Sequence, residues 1–217
     1  MHNFDIFFYS ILLIIIFSIF FLKFNNKISN YLNLVDKPDN FRKRQLKNIP
    51  LTGGLYIYCI LLIIYLCINK FDSYNDQFIQ LNQFYFLTLI FFLGLVDDKI
   101  DINANIKIVS ISTLFLFYLY LEPSSLLNFL IVKELQLTIN IMSISYFFTA
   151  LCLLIFLNAS NMFDGIDGQT GGYFLFLLLY LQYLNGFNLF LSLISISLLI
   201  FLIFNLYQKW YLGDSGV

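Results

Sequence analysis

Long apolar runs alternate with short polar segments along the whole chain. The runs occupy residues 6–24, 52–69, 78–96, 106–121, 141–157, 173–184 and 189–207. Because an α-helix rises about 1.5 Å per residue, most of these runs are long enough to cross the hydrocarbon layer of a bilayer. The pattern predicts an all-α integral membrane protein, a polytopic bundle of about seven transmembrane helices. We expect one membrane domain over residues 1–217 and no soluble domain.

Composition supports the membrane class and excludes several functions. Only 12% of the 217 residues are charged and 60% are hydrophobic, whereas soluble domains are about one quarter charged. The formal net charge of −1 gives no electrostatic basis for binding nucleic acid. His2 is the single histidine, so Ser-His-Asp and Cys-His catalysis are excluded within this chain. Three cysteines lie in apolar runs and are expected to act as buried hydrophobic residues: Cys59, Cys67 and Cys152.

The positions of the basic residues predict the orientation in the membrane. Asp5 precedes the first run and Lys23 follows it, which favours a retained helix over a cleaved signal. With the N-terminus outside, only Lys70 and Lys133 of the twelve basic residues lie outside. The others lie inside: Lys23, Lys27, Lys37, Arg42, Lys43, Arg44, Lys47, Lys99, Lys107 and Lys209. This bias predicts an outside N-terminus and cytoplasmic motif loops.

Four polar segments fall on the same predicted face: 36–54, 97–101, 158–168 and 213–216. Any chemistry is therefore expected there. The cationic run of segment 36–54 has two interpretations, anchoring beside anionic lipid headgroups or binding of phosphate. Its Pro50 and the pair Gly53-Gly54 could pack tightly where the next helix begins.

Carboxylates at a helix end make segment 97–101 a candidate metal site. Asp97 and Asp101 are four residues apart and would share a helix face, where like charges repel unless a cation or basic group lies between them. Mg²⁺ binds a few carboxylate oxygens together with substrate phosphate. The alternative is an acidic helix end in water.

Segment 158–168 is richer in oxygen ligands. If the preceding helix continues, Asn161, Asp164 and Asp167 recur every three residues and partly share a face with Asn158. Such a stripe suits a metal–diphosphate site, and the alternative is a solvated loop. Segment 213–216 follows Lys209-Trp210-Tyr211, which is expected to be an interfacial anchor; a plain turn is the alternative for its glycines.

Together the four segments resemble the polyprenyl-phosphate N-acetylhexosamine-1-phosphate transferase family, glycosyltransferase family 4. The matching pieces are VDKPDNFRKRQLKNIPLTGG at 35–54, DDKID at 97–101, NASNMFDGIDG at 158–168 and GDSG at 213–216. The amino-acid sequence of the first piece is more similar to the WecA and WbpL branch than to the related MraY branch. The resemblance extends over essentially the whole chain.

The resemblance implies a Mg²⁺-dependent enzyme, with Mn²⁺ as an alternative ion, in the bacterial inner membrane. It would transfer N-acetylhexosamine 1-phosphate from a UDP-sugar such as UDP-GlcNAc to polyprenyl (undecaprenyl) phosphate and release UMP, initiating cell-envelope polysaccharide or O-antigen synthesis. The implied catalytic residues are Asp97, Asp98, Asp164 and Asp167, and the implied metal ligands are Asp214, Asn161 and Asp98. Substrate contacts are expected from Asn158, Asp101, Lys47, Arg42, Lys43, Arg44, Gly53 and Gly54.

Two departures from the family define the alternatives. Family members continue beyond the fourth segment into a His-rich loop, so the chain is expected to lack a C-terminal part, and Gln45 stands where the WecA branch tends to have His. An inactive truncated homologue or scaffold is therefore one alternative. A prenyltransferase of the UbiA type, which also uses Asp-rich segments, is another. The hexosamine used, the mechanism and homo-oligomer formation stay open.

Overall fold

The computed structural model describes residues 2–38, 47–71 and 81–216, and within these ranges the chain forms seven α-helices. They are α1 His2–Leu32, α2 Gly53–Phe71, α3 Leu81–Ile100, α4 Ala104–Leu121, α5 Ser145–Phe163, α6 Gln169–Asn185 and α7 Leu189–Leu206. Each predicted apolar run corresponds to one helix. The prediction of an all-α membrane bundle is confirmed.

Among the described residues, four helical stretches are long and apolar enough to cross a membrane. They are Phe7–Leu32, Ala104–Leu121, Met142–Phe163 and Leu189–Leu206, and Gly53–Cys67 is a shorter apolar helix. The other helices carry more polar residues or are shorter. Seven spans therefore stay a prediction, whereas the helices themselves are observed.

Local side chains fix where the helices near the polar segments begin. The Asn103 side chain accepts a hydrogen bond from the Asn105 amide (3.0 Å) before α4, and Asn188 accepts one from Leu191 (3.0 Å) before α7. These asparagines satisfy amides that would otherwise be unpaired in the first helical turn. Upstream of Asn103, α3 continues past its apolar part to Ile100, which places Asp97 and Asp98 on its last turns.

Two short antiparallel strand pairs, which the apolar pattern did not predict, lie between helices. Strands β1 (Val35–Asp36) and β2 (Ile49–Pro50) pair directly before α2, while β3 (Phe129–Val132) and β4 (Leu137–Asn140) form a hairpin between α4 and α5. The first pair brings residues 49–51 beside the end of α1, since Leu34 accepts a hydrogen bond from the Leu51 amide (3.0 Å).

The helices pack around two hydrophobic cores. One core joins α1, α2 and α7 with Trp210 and Leu212, and the other joins α4 and α5, with apolar side chains of α3 packed against it. The segment after α7 passes from the first core toward α3. Segment 213–216 therefore lies where the two helix groups meet.

Trp210 was predicted as part of an interfacial anchor, and this prediction is wrong. Its side chain is fully buried, its Nε1 donates to the Phe201 carbonyl (3.1 Å), and its ring stacks on Tyr56 at 4.8 Å between centroids. An indole buries a large apolar surface and needs only one acceptor for its N–H group. Trp210 instead holds the start of the segment 210–216 in the core.

Candidate functional site

The turn at residues 213–216 is enclosed by backbone from two helices. The amides of Gly53 and Gly54 donate to the carbonyls of Tyr211 (2.8 Å) and Leu212 (2.9 Å). A Cβ on Gly54 would lie 2.5 Å from the Gly216 nitrogen, and one on Gly94 of α3 would lie 2.6 Å from the Asp214 carbonyl oxygen. The tight packing expected of Gly53 and Gly54 is thus observed, against the turn, and their role in substrate binding stays a prediction.

Asp98 joins segment 97–101 to the turn. Its carboxylate oxygens accept hydrogen bonds from the backbone amides of Asp214 (2.7 Å) and Ser215 (3.0 Å). Gly213 has a φ of +72°, and a Cβ there would lie 2.7 Å from Asp98 Oδ2. Glycine is the residue that adopts this left-handed conformation without strain, so the close approach requires it. Asp98 therefore fixes the position of Asp214.

Lys107, in the first turns of α4, lies between two carboxylates. Its Nζ is 2.6 Å from Asp97 Oδ2 and also contacts Asp214 Oδ2. Asp97 is held in turn by the Ile102 amide, which donates to its Oδ1 (2.8 Å). Sequence reasoning treated Lys107 only as an inner basic residue. Its position could have suggested the pairing, because Lys107 lies ten residues after Asp97, on the same predicted face, at the start of an otherwise apolar helix.

The oxygen-rich segment 158–168 does not form one helical stripe, because α5 ends at Phe163. Asp164 caps the helix and Asp167 lies in the following turn, so the expected three-residue ladder is wrong beyond Asn161. The Asn158 side chain donates back to the Leu154 carbonyl (3.1 Å). Asn161 differs, since its Oδ1 is buried and has no hydrogen-bond partner among the described residues.

The two carboxylates after α5 lie within electrostatic reach of the other segments. Burial raises the pKa of Asp164 above its usual value, and the charges of Asp98 and Asp167 raise it further. Gln208 Nε2 donates to Asp167 Oδ2 (2.8 Å). Segment 158–168 therefore joins segments 97–101 and 213–216 in one acidic cluster.

Tyr211 lies among three of these acidic groups. Its pKa is raised to about 12, and burial is the largest cause. The charge and hydrogen bond of Asp167 and the charges of Asp36 and Asp164 raise the pKa further. Its hydroxyl therefore stays protonated at neutral pH. Tyr211 is not among the site residues predicted from the sequence, although it lies three residues before Asp214 and could have been placed near the site for that reason.

The carboxyl group of Asp214 has a raised pKa of about 6. Burial is the main cause, and a hydrogen bond with the neighbouring Asp97 carboxyl raises the pKa further, while Lys107 lowers it. Two adjacent carboxylates repel each other when both are ionised. Among the described residues, Lys107 contacts two of these carboxylates at once, so the cluster carries excess negative charge that a further cation would balance.

The other predicted site residues lie at the edge of the cluster or outside the described ranges. Asp101 follows the end of α3 with a φ of +47° and is exposed, so it does not share a helix face with Asp97 as expected. Lys47 is exposed just before β2. Arg42, Lys43 and Arg44 lie outside the described residues.

The residues present fit a magnesium ion. Among residues 2–38, 47–71 and 81–216, no three Asp, Glu, His or Cys side chains converge on one metal position. Mg²⁺ nevertheless needs only one or two carboxylates, with water and phosphate completing its shell. Asp214 would supply a carboxylate, and the buried Oδ1 of Asn161, which has no hydrogen-bond partner among the described residues, is an oxygen of the kind that Mg²⁺ prefers.

Comparisons with known proteins identify the family of the chain. The family model described as glycosyl transferase family 4 matches residues 81–217. The undecaprenyl-phosphate alpha-N-acetylglucosaminyl 1-phosphate transferase of Escherichia coli (strain K12) is 30% identical over 162 residues, which cover 73% of this chain and 41% of that protein. The protein of the same name from Yersinia pestis is 32% identical over 164 residues, 73% of this chain and 42% of that protein.

A third relative of the same name, from Haemophilus influenzae (strain ATCC 51907 / DSM 11121 / KW20 / Rd), is 34% identical over 80 residues, 37% of this chain and 21% of that protein. The chain spans about two fifths of the length of the Escherichia coli and Yersinia pestis relatives that it matches. The family match covers three of the four polar segments, and these are the segments that form the acidic cluster. The chain belongs to glycosyl transferase family 4.

Proposed function

We propose that the chain transfers N-acetylhexosamine 1-phosphate from a UDP-sugar to polyprenyl phosphate and releases UMP. An oxygen of the acceptor phosphate forms a bond to the sugar-bearing phosphorus, and the bond from that phosphorus to the bridging oxygen breaks. UMP leaves with the electron pair of that bond. The products are UMP and a polyprenyl diphosphate sugar.

One observation carries the proposal more than any other: the contact of Lys107 with both Asp97 and Asp214. A lysine held between carboxylates at the polar end of an apolar bundle forms a site where that lysine, together with a bound cation, would counter the charge of a phosphate group. The acceptor phosphate is attached to a lipid and must be met at a membrane surface. Membership of glycosyl transferase family 4 and the names of the relatives support the same substrates.

The metal, Mg²⁺ or Mn²⁺, would be held by Asp214, Asn161 and Asp98, and when bound it would neutralise the diphosphate and stabilise the leaving UMP. Asp98 has a second task, since it orders the turn that carries Asp214. Asp97 keeps Lys107 in place and, with Asp98, assists the metal or activates the acceptor. Asp164 and Asp167 orient the diphosphate and the uridine.

The location follows from the orientation predicted by the basic residues. The nucleotide sugar is supplied by the cytoplasm, so the acidic cluster faces the cytoplasm from the inner membrane of a bacterium. Both substrates then reach one site, the lipid phosphate from the bilayer and the UDP-sugar from water. The bilayer itself is the remaining partner.

UMP release tests the proposal. The purified chain in nanodiscs should release UMP from UDP-GlcNAc only when undecaprenyl phosphate and Mg²⁺ are both present. Asp214→Ala and Asp98→Ala should abolish the release while both variants still insert into the membrane. Full activity of both variants would contradict the site, and transfer from an isoprenyl diphosphate without UMP release would indicate a prenyltransferase instead.

A further inference from the structure

Asn205, in the last turn of α7, bonds to both acid-bearing loops of the site. Its Oδ1 accepts a hydrogen bond from the Gly168 amide (2.6 Å), at the end of segment 158–168. Its Nδ2 donates to the Trp210 carbonyl (3.0 Å), four residues before Asp214. Asn205 is 6% exposed, so both bonds are shielded from water.

These two bonds differ from an ordinary helix end. Ser195 and Ser197 of α7 donate within their own helix, as when Ser197 Oγ donates to the Leu193 carbonyl (2.7 Å). The side-chain amide of Asn205 instead bonds to two loops: its oxygen accepts from Gly168, which follows α5, and its nitrogen donates to Trp210, which follows α7. An uncharged amide suits this role because it offers one acceptor and one donor group at any physiological pH.

The residues packed around Asn205 make the positions of Asp167 and Asp214 depend on it. Gly168 has a φ of +80° and packs on α7, where a Cβ would lie 2.6 Å from Leu206 Cδ2. Asp167 directly precedes Gly168 and receives the hydrogen bond from Gln208. Trp210 is fixed in the core, and the backbone from Trp210 to Asp214 is short. A shift at Asn205 would therefore move Asp167 relative to Asp214.

We infer that Asn205 is a positioning residue that fixes the loop bearing Asp164 and Asp167 relative to the turn bearing Asp214. Both of its side-chain hydrogen bonds go to backbone groups of the protein. Its effect on the reaction rests on the proposed function, through the geometry of the nucleotide-sugar site. Its effect on the two loops does not depend on that function.

Hydrogen exchange of the 217-residue chain in nanodiscs tests the loop geometry. Asn205→Leu removes both bonds at similar volume, and peptides containing residues 164–172 and 209–216 should exchange about tenfold faster. Asn205→Asp keeps the acceptor for Gly168 but loses the amide donor, so the second peptide should be affected more than the first. Ser197→Ala, another buried polar position of α7, is the matched control and should change neither peptide.

Two exchange results would overturn the inference. One is an unchanged exchange rate in both peptides of Asn205→Leu. The other is an equal increase in peptides from α1 and α2, since general loosening of the bundle would show that Asn205 serves only stability.

Calorimetric binding of UDP-GlcNAc in the presence of Mg²⁺ separates positioning from loss of folded protein. Asn205→Leu should raise the dissociation constant about tenfold, whereas partial unfolding would reduce the number of binding sites and leave the constant unchanged. Loosened loops with an unaltered dissociation constant would overturn the positioning role. If the unaltered chain itself binds no UDP-GlcNAc, the proposed function fails, and the exchange experiment still decides whether Asn205 holds the loops.

Discussion

At the scale of single residues, Lys107 is the main site residue that the sequence did not identify, because it contacts both Asp97 and Asp214. The sequence pointed to the acidic residues because Asp is rare in an apolar chain and falls at the ends of the runs. It did not show which cation faces them, since the partner lies in the next helix. Asp97 and Asp101 illustrate the limit, because helical spacing paired them whereas the end of α3 at Ile100 separates them.

The first prediction concerns Lys107→Met, which keeps most of the side-chain length and removes the charge. We expect the turnover number for UMP release to fall at least about 100-fold, as is typical when a group that stabilises developing phosphate charge is lost. Steady-state kinetics of UMP release in nanodiscs measures this. Lys99→Met, at an exposed position on the same face, is the matched control and should keep its activity. Equal activity of the two variants would remove Lys107 from the site.

At the scale of elements, the apolar pattern predicted helices well and turns poorly. The run 189–207 became α7 at Leu189–Leu206, because an apolar helix satisfies all its backbone groups within the membrane. The end of α5 was missed because oxygen-bearing residues continued at helical spacing, although Asp and Gly favour turns. Strand β3 was missed within a loop, although its four apolar residues matched a short strand as well.

The close approach of α3 to the turn 213–216 gives the second prediction. In Gly94→Ala the new Cβ would lie 2.6 Å from the Asp214 carbonyl oxygen and 2.7 Å from the Ser215 Cα, so the backbone must shift. Overpacking of this kind costs roughly 1–3 kcal/mol, and we expect lower thermal stability together with loss of UMP release. Thermal unfolding in detergent and the activity assay measure the two effects.

Gly172→Ala in α6 is the matched control for this substitution. A Cβ there meets no atom within 4 Å, so stability and activity should stay at their original levels. If Gly94→Ala behaves like Gly172→Ala, the turn does not depend on its contact with α3.

At the scale of the whole molecule, the site forms where the two helix groups meet. Sequence order could not reveal this, because segments 97–101 and 213–216 are far apart in the chain and meet through Asp98 and through the contacts of Lys107 with Asp97 and Asp214. What the sequence did predict is that the polar segments share one end of the bundle. That prediction followed from the length of the apolar runs and needed no knowledge of packing.

The third prediction concerns sidedness. In a variant whose native cysteines are replaced, Leu135→Cys beside the β3–β4 hairpin should react with a membrane-impermeant maleimide in intact cells. Asn48→Cys, exposed just before β2, should react only after the membrane is permeabilised. The positive-inside bias is the physical reason. The opposite labelling pattern would place the acidic cluster outside, away from its nucleotide sugar.

We propose that this chain joins a sugar phosphate to a lipid phosphate at the cluster around Lys107 and Asp214. Mass spectrometry of the lipids, after incubation of the purified chain with undecaprenyl phosphate, UDP-GlcNAc and Mg²⁺, tests it most directly. We expect undecaprenyl diphosphate N-acetylglucosamine, formed in equal amount to UMP and missing in Asp214→Ala. Unmodified undecaprenyl phosphate, with the UDP-sugar intact, would contradict the claim.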